Sequence, residues 1–114
     1  MKIHAILLAT GVALALSACK KESCGFGEVP ECIMDRIENN DNELFCDDAN
    51  VKEYTFQQKT VYVFDAGTCG ADFSYPVLDA DCNTLGFLGG FQGNTKINGE
   101  EFSSAVFVRT VWEK

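Results

Sequence analysis

The run Val51-Lys52-Glu53-Tyr54-Thr55-Phe56, followed after Gln57-Gln58-Lys59 by Thr60-Val61-Tyr62-Val63-Phe64, decides the fold. Both segments are rich in β-branched and aromatic residues, which suit a pleated, half-buried surface. The link between them is short enough for a hairpin connection, so the two read as paired antiparallel strands. Downstream, Tyr75 to Leu78 reads as a third strand, and Pro76 predicts an edge position because proline has no N–H to give to a ladder. Asp79-Ala80-Asp81-Cys82-Asn83 is a turn cluster, Thr84 to Leu88 a fourth strand, and Gly89-Gly90-Phe91-Gln92-Gly93-Asn94 a loop. Asn98-Gly99 marks another turn. Ala105 to Trp112 is the last strand, with Val106, Val108 and Thr110 on one face and Phe107, Arg109 and Val111 on the other.

Upstream of the hairpin the period changes. Pro30 sits where a helix starts, with Glu31 in the favourable first turn. Ile33, Met34 and Ile37 follow at helical spacing, and Asp35, Arg36 and Glu38 lie on the other side. Asn39-Asn40-Asp41-Asn42 ends the segment. A helix of about ten residues does not stand alone in water, so its apolar stripe must pack on the sheet. The expected fold is α+β: one short N-terminal helix packed on an antiparallel sheet of about five strands, in a single small domain at 29–114.

The first residues have a different logic. Lys2 precedes an apolar run from Ala5 to Leu16, and the small residues Ser17 and Ala18 lead into Cys19. The run has the length of a signal-peptide h-region and falls short of the ~20 residues that span a bilayer. Leu16-Ser17-Ala18-Cys19 resembles the lipobox of bacterial lipoproteins. The resemblance implies removal of residues 1–18, lipidation of Cys19 as the membrane anchor, and a tether at 19–28. Two or more acyl chains make such an anchor stable. Lys20 rather than Asp follows the cysteine, which implies the outer membrane. Lys20-Lys21-Glu22 is similar to the export signal of surface lipoproteins in Bacteroidota, so both periplasmic and surface-facing placements stay open.

Cleavage restricts the chemistry. His4 is the one histidine in the sequence, and its loss removes the imidazole base of Ser-His-Asp and Cys-His sites and any His-ligated zinc. The whole chain carries a net charge of −8, and losing Lys2 makes the remainder more acidic. Such a domain has no footprint for nucleic acid. No cofactor is expected, and no enzyme. The partners expected are the membrane, through the lipid, and an unidentified protein or small molecule.

With Cys19 spent on lipid, Cys24, Cys32, Cys46, Cys69 and Cys82 remain in an oxidising compartment, where disulfides are the default. Five cysteines form at most two bridges within one chain, and the pairing stays open. The candidates are Cys69–Cys82, which would close a loop about a dozen residues long worth roughly 3 kcal/mol, and Cys24–Cys46, clamping the tether. Cys32 near the helix start is then the free thiol, either reactive or buried and inert.

Two further patterns invite a functional reading. Asp79-x-Asp81-x-Asn83 opens like a calcium loop, but Thr84 and Gly90 stand where an EF-hand needs Gly and Glu. An acidic turn is the plainer reading. The glycine-rich segment Gly86 to Gly93 carries Phe87, Leu88 and Phe91. Folded inward these are core, which is the plainer expectation; exposed, Phe87 and Phe91 are a partner surface.

Val61-Tyr62, Cys69-Gly70-Ala71-Asp72, Asp79-Ala80-Asp81-Cys82-Asn83, Leu85-Gly86-Phe87-Leu88-Gly89-Gly90 and Ile97-Asn98-Gly99 together resemble an uncharacterised family of small Bacteroidota lipoproteins. The resemblance spans roughly residues 30–112. It implies a location and no activity. The functional expectation is an envelope-anchored lipoprotein with a non-enzymatic binding or structural domain. A small disulfide-stabilised inhibitor of cystatin-like form, presenting a loop closed by Cys69–Cys82, is the alternative.

Overall fold

The computed structural model describes residues 28–39 and 44–114. Cys19, Cys24 and most of the tether lie outside the described residues. The helix α1 spans Glu31–Asn39, and the carbonyl of Pro30 accepts the N–H groups of Ile33 and Met34 at 3.0 and 3.2 Å. The strands are β1 Asn50–Phe56, β2 Lys59–Asp65, β3 Ser74–Asp79, β4 Thr84–Gly89, β5 Lys96–Ile97, β6 Glu100–Glu101 and β7 Val106–Glu113. Five of them form one antiparallel sheet in the order β4-β3-β2-β1-β7, and β5 and β6 form a separate two-stranded ribbon. The architecture is one short helix with a predominantly β domain.

The alternating pattern of the central hairpin splits the core in two. Val51, Tyr62, Phe64 and Leu78 face α1, where they bury Ile33 and Ile37 together with Leu44 and Ala49. The Arg36 guanidinium lies 5.8 Å from the centre of the Phe64 ring, within cation–π range. Phe56, Val61 and Val77 face the other way and bury Ile97. That second cover is supplied by the long connection from β4, at one edge, to β7, at the other. It carries the β5–β6 ribbon and a 3₁₀ turn at Phe102–Ser104 across the sheet.

Two tight turns meet where that crossover touches the hairpin. Asn98 and Gly99 both have positive φ, 51° and 81°, as a type I′ turn demands. Gln57 and Gln58 do the same at 54° and 65°, although L-residues other than Asn, Asp and Gly resist this region. The Gln57 amide compensates by bonding across: Nε2 donates to Glu100 Oε1 at 3.1 Å, and Asn98 Nδ2 donates to Gln57 Oε1 at 3.3 Å.

The disulfides differ from the expected pairing. Cys32 bonds Cys82, and Cys46 bonds Cys69. Cys32 is therefore no free thiol, Cys69–Cys82 does not form, and Cys46 is not available to Cys24. The physical reason is β3. It occupies the interval between Cys69 and Cys82, and the extended strand carries the two sulfurs to opposite ends of the sheet. Each then meets a cysteine from the helix side: Cys82 the start of α1, Cys69 the loop before β1. The loop closed by Cys69–Cys82, which the inhibitor reading invoked, therefore does not form. The Cys46–Cys69 loops also interlock through Asp48, whose carboxylate accepts the Thr68 hydroxyl and backbone N–H. Those bonds, the hydroxyl's first, hold the Asp48 carboxyl below the ordinary 3.8. Gly67, at φ 103°, is the residue that fits between them, because a Cβ there would lie 2.1 Å from Asp48 Oδ1.

Two further expectations change. Pro76 lies in an interior strand. The β2–β3 ladder ends at Val63↔Val77, one residue short of it, so the missing donor falls where β3 pairs with β4 alone. The alternation predicted for the last strand is broken by irregularities between Val51 and Lys52 and between Glu53 and Tyr54 in the β1–β7 register. They bring Arg109 opposite Glu53, which is 5% exposed, with Arg109 Nε 2.8 Å from Glu53 Oε1. Burial pushes the neighbouring Tyr62 phenol up, with Glu53 adding and Arg109 opposing.

Candidate functional site

The crossover does not cover its face of the sheet completely. Between it and the strands lies an open groove of about 650 Å³, within the size range of ligand pockets. The floor and one wall come from Tyr54 on β1, Tyr75 on β3, and Leu88 and Gly89 on β4. The other wall comes from Asn94, Thr95, Glu101, Phe102 and Ala105. Strand alternation explains the first set, since Tyr75 and Leu88 are cross-strand partners and share a face. Gly89 has φ 73°, and a Cβ there would approach the Phe73 carbonyl to 2.9 Å and the Tyr75 ring to 3.2 Å. Glycine thus lets the Tyr75 ring lie close over the strand end.

The aromatic wall is braced. Tyr54 meets Phe102 edge-on at 5.1 Å and Phe107 at 5.7 Å, and Phe102 also lies 4.9 Å from Phe56. Burial pushes the Tyr54 phenol upward, and the negative charge of Asp65 adds to that. The polar part of the lining is already engaged. The Asn94 amide donates to the Phe87 and Lys96 carbonyls at 2.6 and 2.8 Å, and the Thr95 hydroxyl donates to Glu101 Oε2 at 3.2 Å.

Phe87 and Phe91 are both exposed, at 52% and 89%, so the plainer expectation that they fold inward fails and the exposure that a partner surface at these residues needs is present. Phe87 projects from β4 on the side opposite Leu88, and Phe91 stands on the turn closed by the Gly89–Asn94 backbone pair. Neither lines the groove. A second exposed apolar pair, Val106 and Phe107 at 63% and 53%, begins β7. Phe107 continues the aromatic wall of the groove to the sheet edge.

Asp79, Asp81 and Asn83 form a self-contained turn. Asp79 Oδ1 accepts the N–H groups of Asp81 and Asn83, both at 2.9 Å, and Oδ2 accepts Asn83 Nδ2 at 3.2 Å. These bonds, that from the Asn83 backbone first, hold its carboxyl below the ordinary aspartate value. A carboxylate used this way explains the calcium-like spacing without calcium. No group of three or more His, Cys, Asp or Glu side chains among the described residues is arranged to hold a metal. A depression beside Cys32 is lined by Asp35, Arg36, Asn39 and Cys82, but its sulfur is in a disulfide and offers no thiolate.

Residues 37–114 match DUF6970, a domain of unknown function. The chain belongs to this family. The DUF6970 segment contains every residue of the groove and the Cys46–Cys69 bridge, whereas Cys32 and the first six residues of α1 precede it. No curated protein and no solved structure matches the chain.

Nothing local in the sequence marked the groove. Its residues come from positions 54 to 105, and each reads singly as an ordinary strand or turn residue. The one available signal was the pair of aromatic residues Phe102 and Phe107 close together in the C-terminal segment.

Proposed function

We propose that the chain is a lipoprotein, anchored at the bacterial outer membrane through Cys19, whose domain is a non-enzymatic module that binds a partner in the groove between sheet and crossover. The observation that carries the reading is the groove. It is lined by Tyr54, Tyr75, Phe102 and Leu88, large apolar side chains left accessible at a site the fold closes elsewhere. Exposed apolar surface at a concave site marks recognition. The anchor rests on the lipobox resemblance at Leu16-Ser17-Ala18-Cys19, and two disulfides accord with an oxidising compartment. The binding reading rests also on the loss of His4 with the leader, which leaves the commonest catalytic base out of the mature chain.

Ser103 tests the groove. It is exposed on the lining, so Ser103→Trp fills the groove from the rim. Cross-linking in intact cells should yield a partner adduct that this variant loses, while Phe91→Ser retains it. An adduct unaffected by Ser103→Trp and lost in Phe91→Ser would move the site to the β4 edge. Mass spectrometry of the mature N-terminus should find a diacyl or triacyl Cys19, and a free amino terminus elsewhere would end the anchor reading.

A further inference from the structure

The groove has a chemical bias beyond being apolar. Its lining contains three aromatic rings, those of Tyr54, Tyr75 and Phe102, and one acidic side chain, Glu101, with no basic one. The Asn94 amide protons and the Thr95 hydroxyl proton are already given to protein acceptors. What remains are the Tyr54, Tyr75 and Ser103 hydroxyls, which accept as well as donate, and the acceptor capacity of Glu101. A ligand rich in acceptors, such as an anion, finds no committed donor here. A ligand that brings its own donors and a positive charge finds ring faces and a carboxylate.

The wider field has the same sign. The chain's net charge is −8, and three of its nine basic residues, Lys2, Lys20 and Lys21, precede the domain. The domain is therefore more acidic than the chain. Asp65 acts on the Tyr54 hydroxyl from the same side of the sheet. Negative potential over a low-dielectric concavity concentrates cations, and aromatic faces attract ammonium and guanidinium groups within about 6 Å.

We propose that the groove receives a lysine or arginine side chain from an extended basic segment of a partner protein, its stem between the Tyr54, Tyr75 and Phe102 rings and its charge toward Glu101. This rests on the binding reading above and names the chemistry of the partner. A protein is favoured over a free amine because the apolar surface does not stop at the groove. It continues from Tyr54 to the exposed ring of Phe107 on the edge strand β7, farther than one small amine covers.

The test is an NMR titration of the full chain with Gly-Gly-Lys-Gly-Gly, its norleucine and Nε-acetyl-lysine analogues, and free butylammonium. The lysine peptide should shift Tyr54, Tyr75 and Leu88 resonances and bind about tenfold tighter than either neutral analogue. Added salt should weaken it. Glu101→Gln, which preserves shape, should remove most of the preference for charge, and Tyr75→Leu should weaken all the peptides. Equal affinity for lysine and norleucine peptides at the same resonances would overturn the cationic assignment and leave the groove as a binding site. Butylammonium binding as tightly as the lysine peptide, with Phe107→Ser without effect, would overturn the protein partner in favour of a small amine. Groove resonances unmoved by every probe would overturn the inference. In that case a cross-linked adduct still lost in Ser103→Trp would show that the groove binds something else.

Discussion

The two faces of the sheet are closed by different means. The helix side is covered by α1 and the loop before β1, and both disulfides belong to it: one ties α1 to the β3–β4 turn, the other ties the loop to the chain leaving β2. The crossover side has none, since no cysteine follows Cys82. Its cover is held by Ile97, by Phe102 and by the Gln57–Asn98–Glu100 bonds. The stapled face is buried, and the unstapled face keeps an aromatic groove. The disulfides and the aromatic groove thus lie on opposite sides of the same five strands.

The largest expected effect breaks the first face. In the chain-entropy account, the 50-residue separation of Cys32 and Cys82 corresponds to about 4 kcal/mol and the 23-residue separation of Cys46 and Cys69 to about 3 kcal/mol. For a domain this small, urea unfolding with and without reductant should show most of the stability lost. If reduction changes the midpoint little, the comparison fails at its base.

Single core deletions sharpen the contrast. Ile33 is fully buried on the helix side, so Ile33→Ala should cost about 3 kcal/mol. Phe102 is partly exposed beside the groove, so Phe102→Ala should cost about 1–2 kcal/mol while altering the Tyr54 environment. Equal losses would mean that the crossover side is as much a core as the other.

Acid reports on the turn joined to the Cys82 bridge. The Asp79 carboxyl is held low when folded, so its contribution is present above the unfolded value near 3.8 and is lost as pH falls through the lower folded value. Its exposure keeps the effect modest. Denaturation midpoints measured from pH 5 to pH 2 should fall less steeply in Asp79→Asn than in the parent.

The smallest effect is a gain. Gln58 occupies a left-handed position at φ 65°, and glycine is free of that strain. Gln58→Gly should raise stability by about 0.5–1 kcal/mol and leave groove binding unchanged. Gln57→Gly should gain less, because it gives up the bonds to Asn98 and Glu100.

What was legible in the sequence follows the range of the forces involved. The β1–β2 hairpin and α1 were readable because side-chain alternation and helical spacing are local. The Asn98-Gly99 turn was readable because its conformation selects its residues. The cysteine pairing was not, because it depends on which ends of β3 meet which loops. Pro76 misled because the rule concerns a missing donor, and the ladder on that side stops one residue earlier. For Phe87 and Phe91 the choice between core and surface stayed open because hydrophobicity records what a side chain gains by burial; a short edge strand and its turn offer nothing to bury them, and both are exposed. The groove is a property of the crossover's path, which no segment encodes alone.

The Cys32–Cys82 bridge also has a mechanical meaning. Any pull on the segment ahead of Val29 reaches α1 first, and a nine-residue helix held by side-chain contacts would peel from its end. The bridge begins at the second residue of that helix and passes the load covalently to the turn between β3 and β4, on the edge of the sheet that β4 forms. Tension therefore bypasses the helix packing and enters the sheet directly through β3 and β4. A pull at the N-terminal side is thus handed, past the helix, to the two strands that carry Tyr75 and Leu88 of the groove.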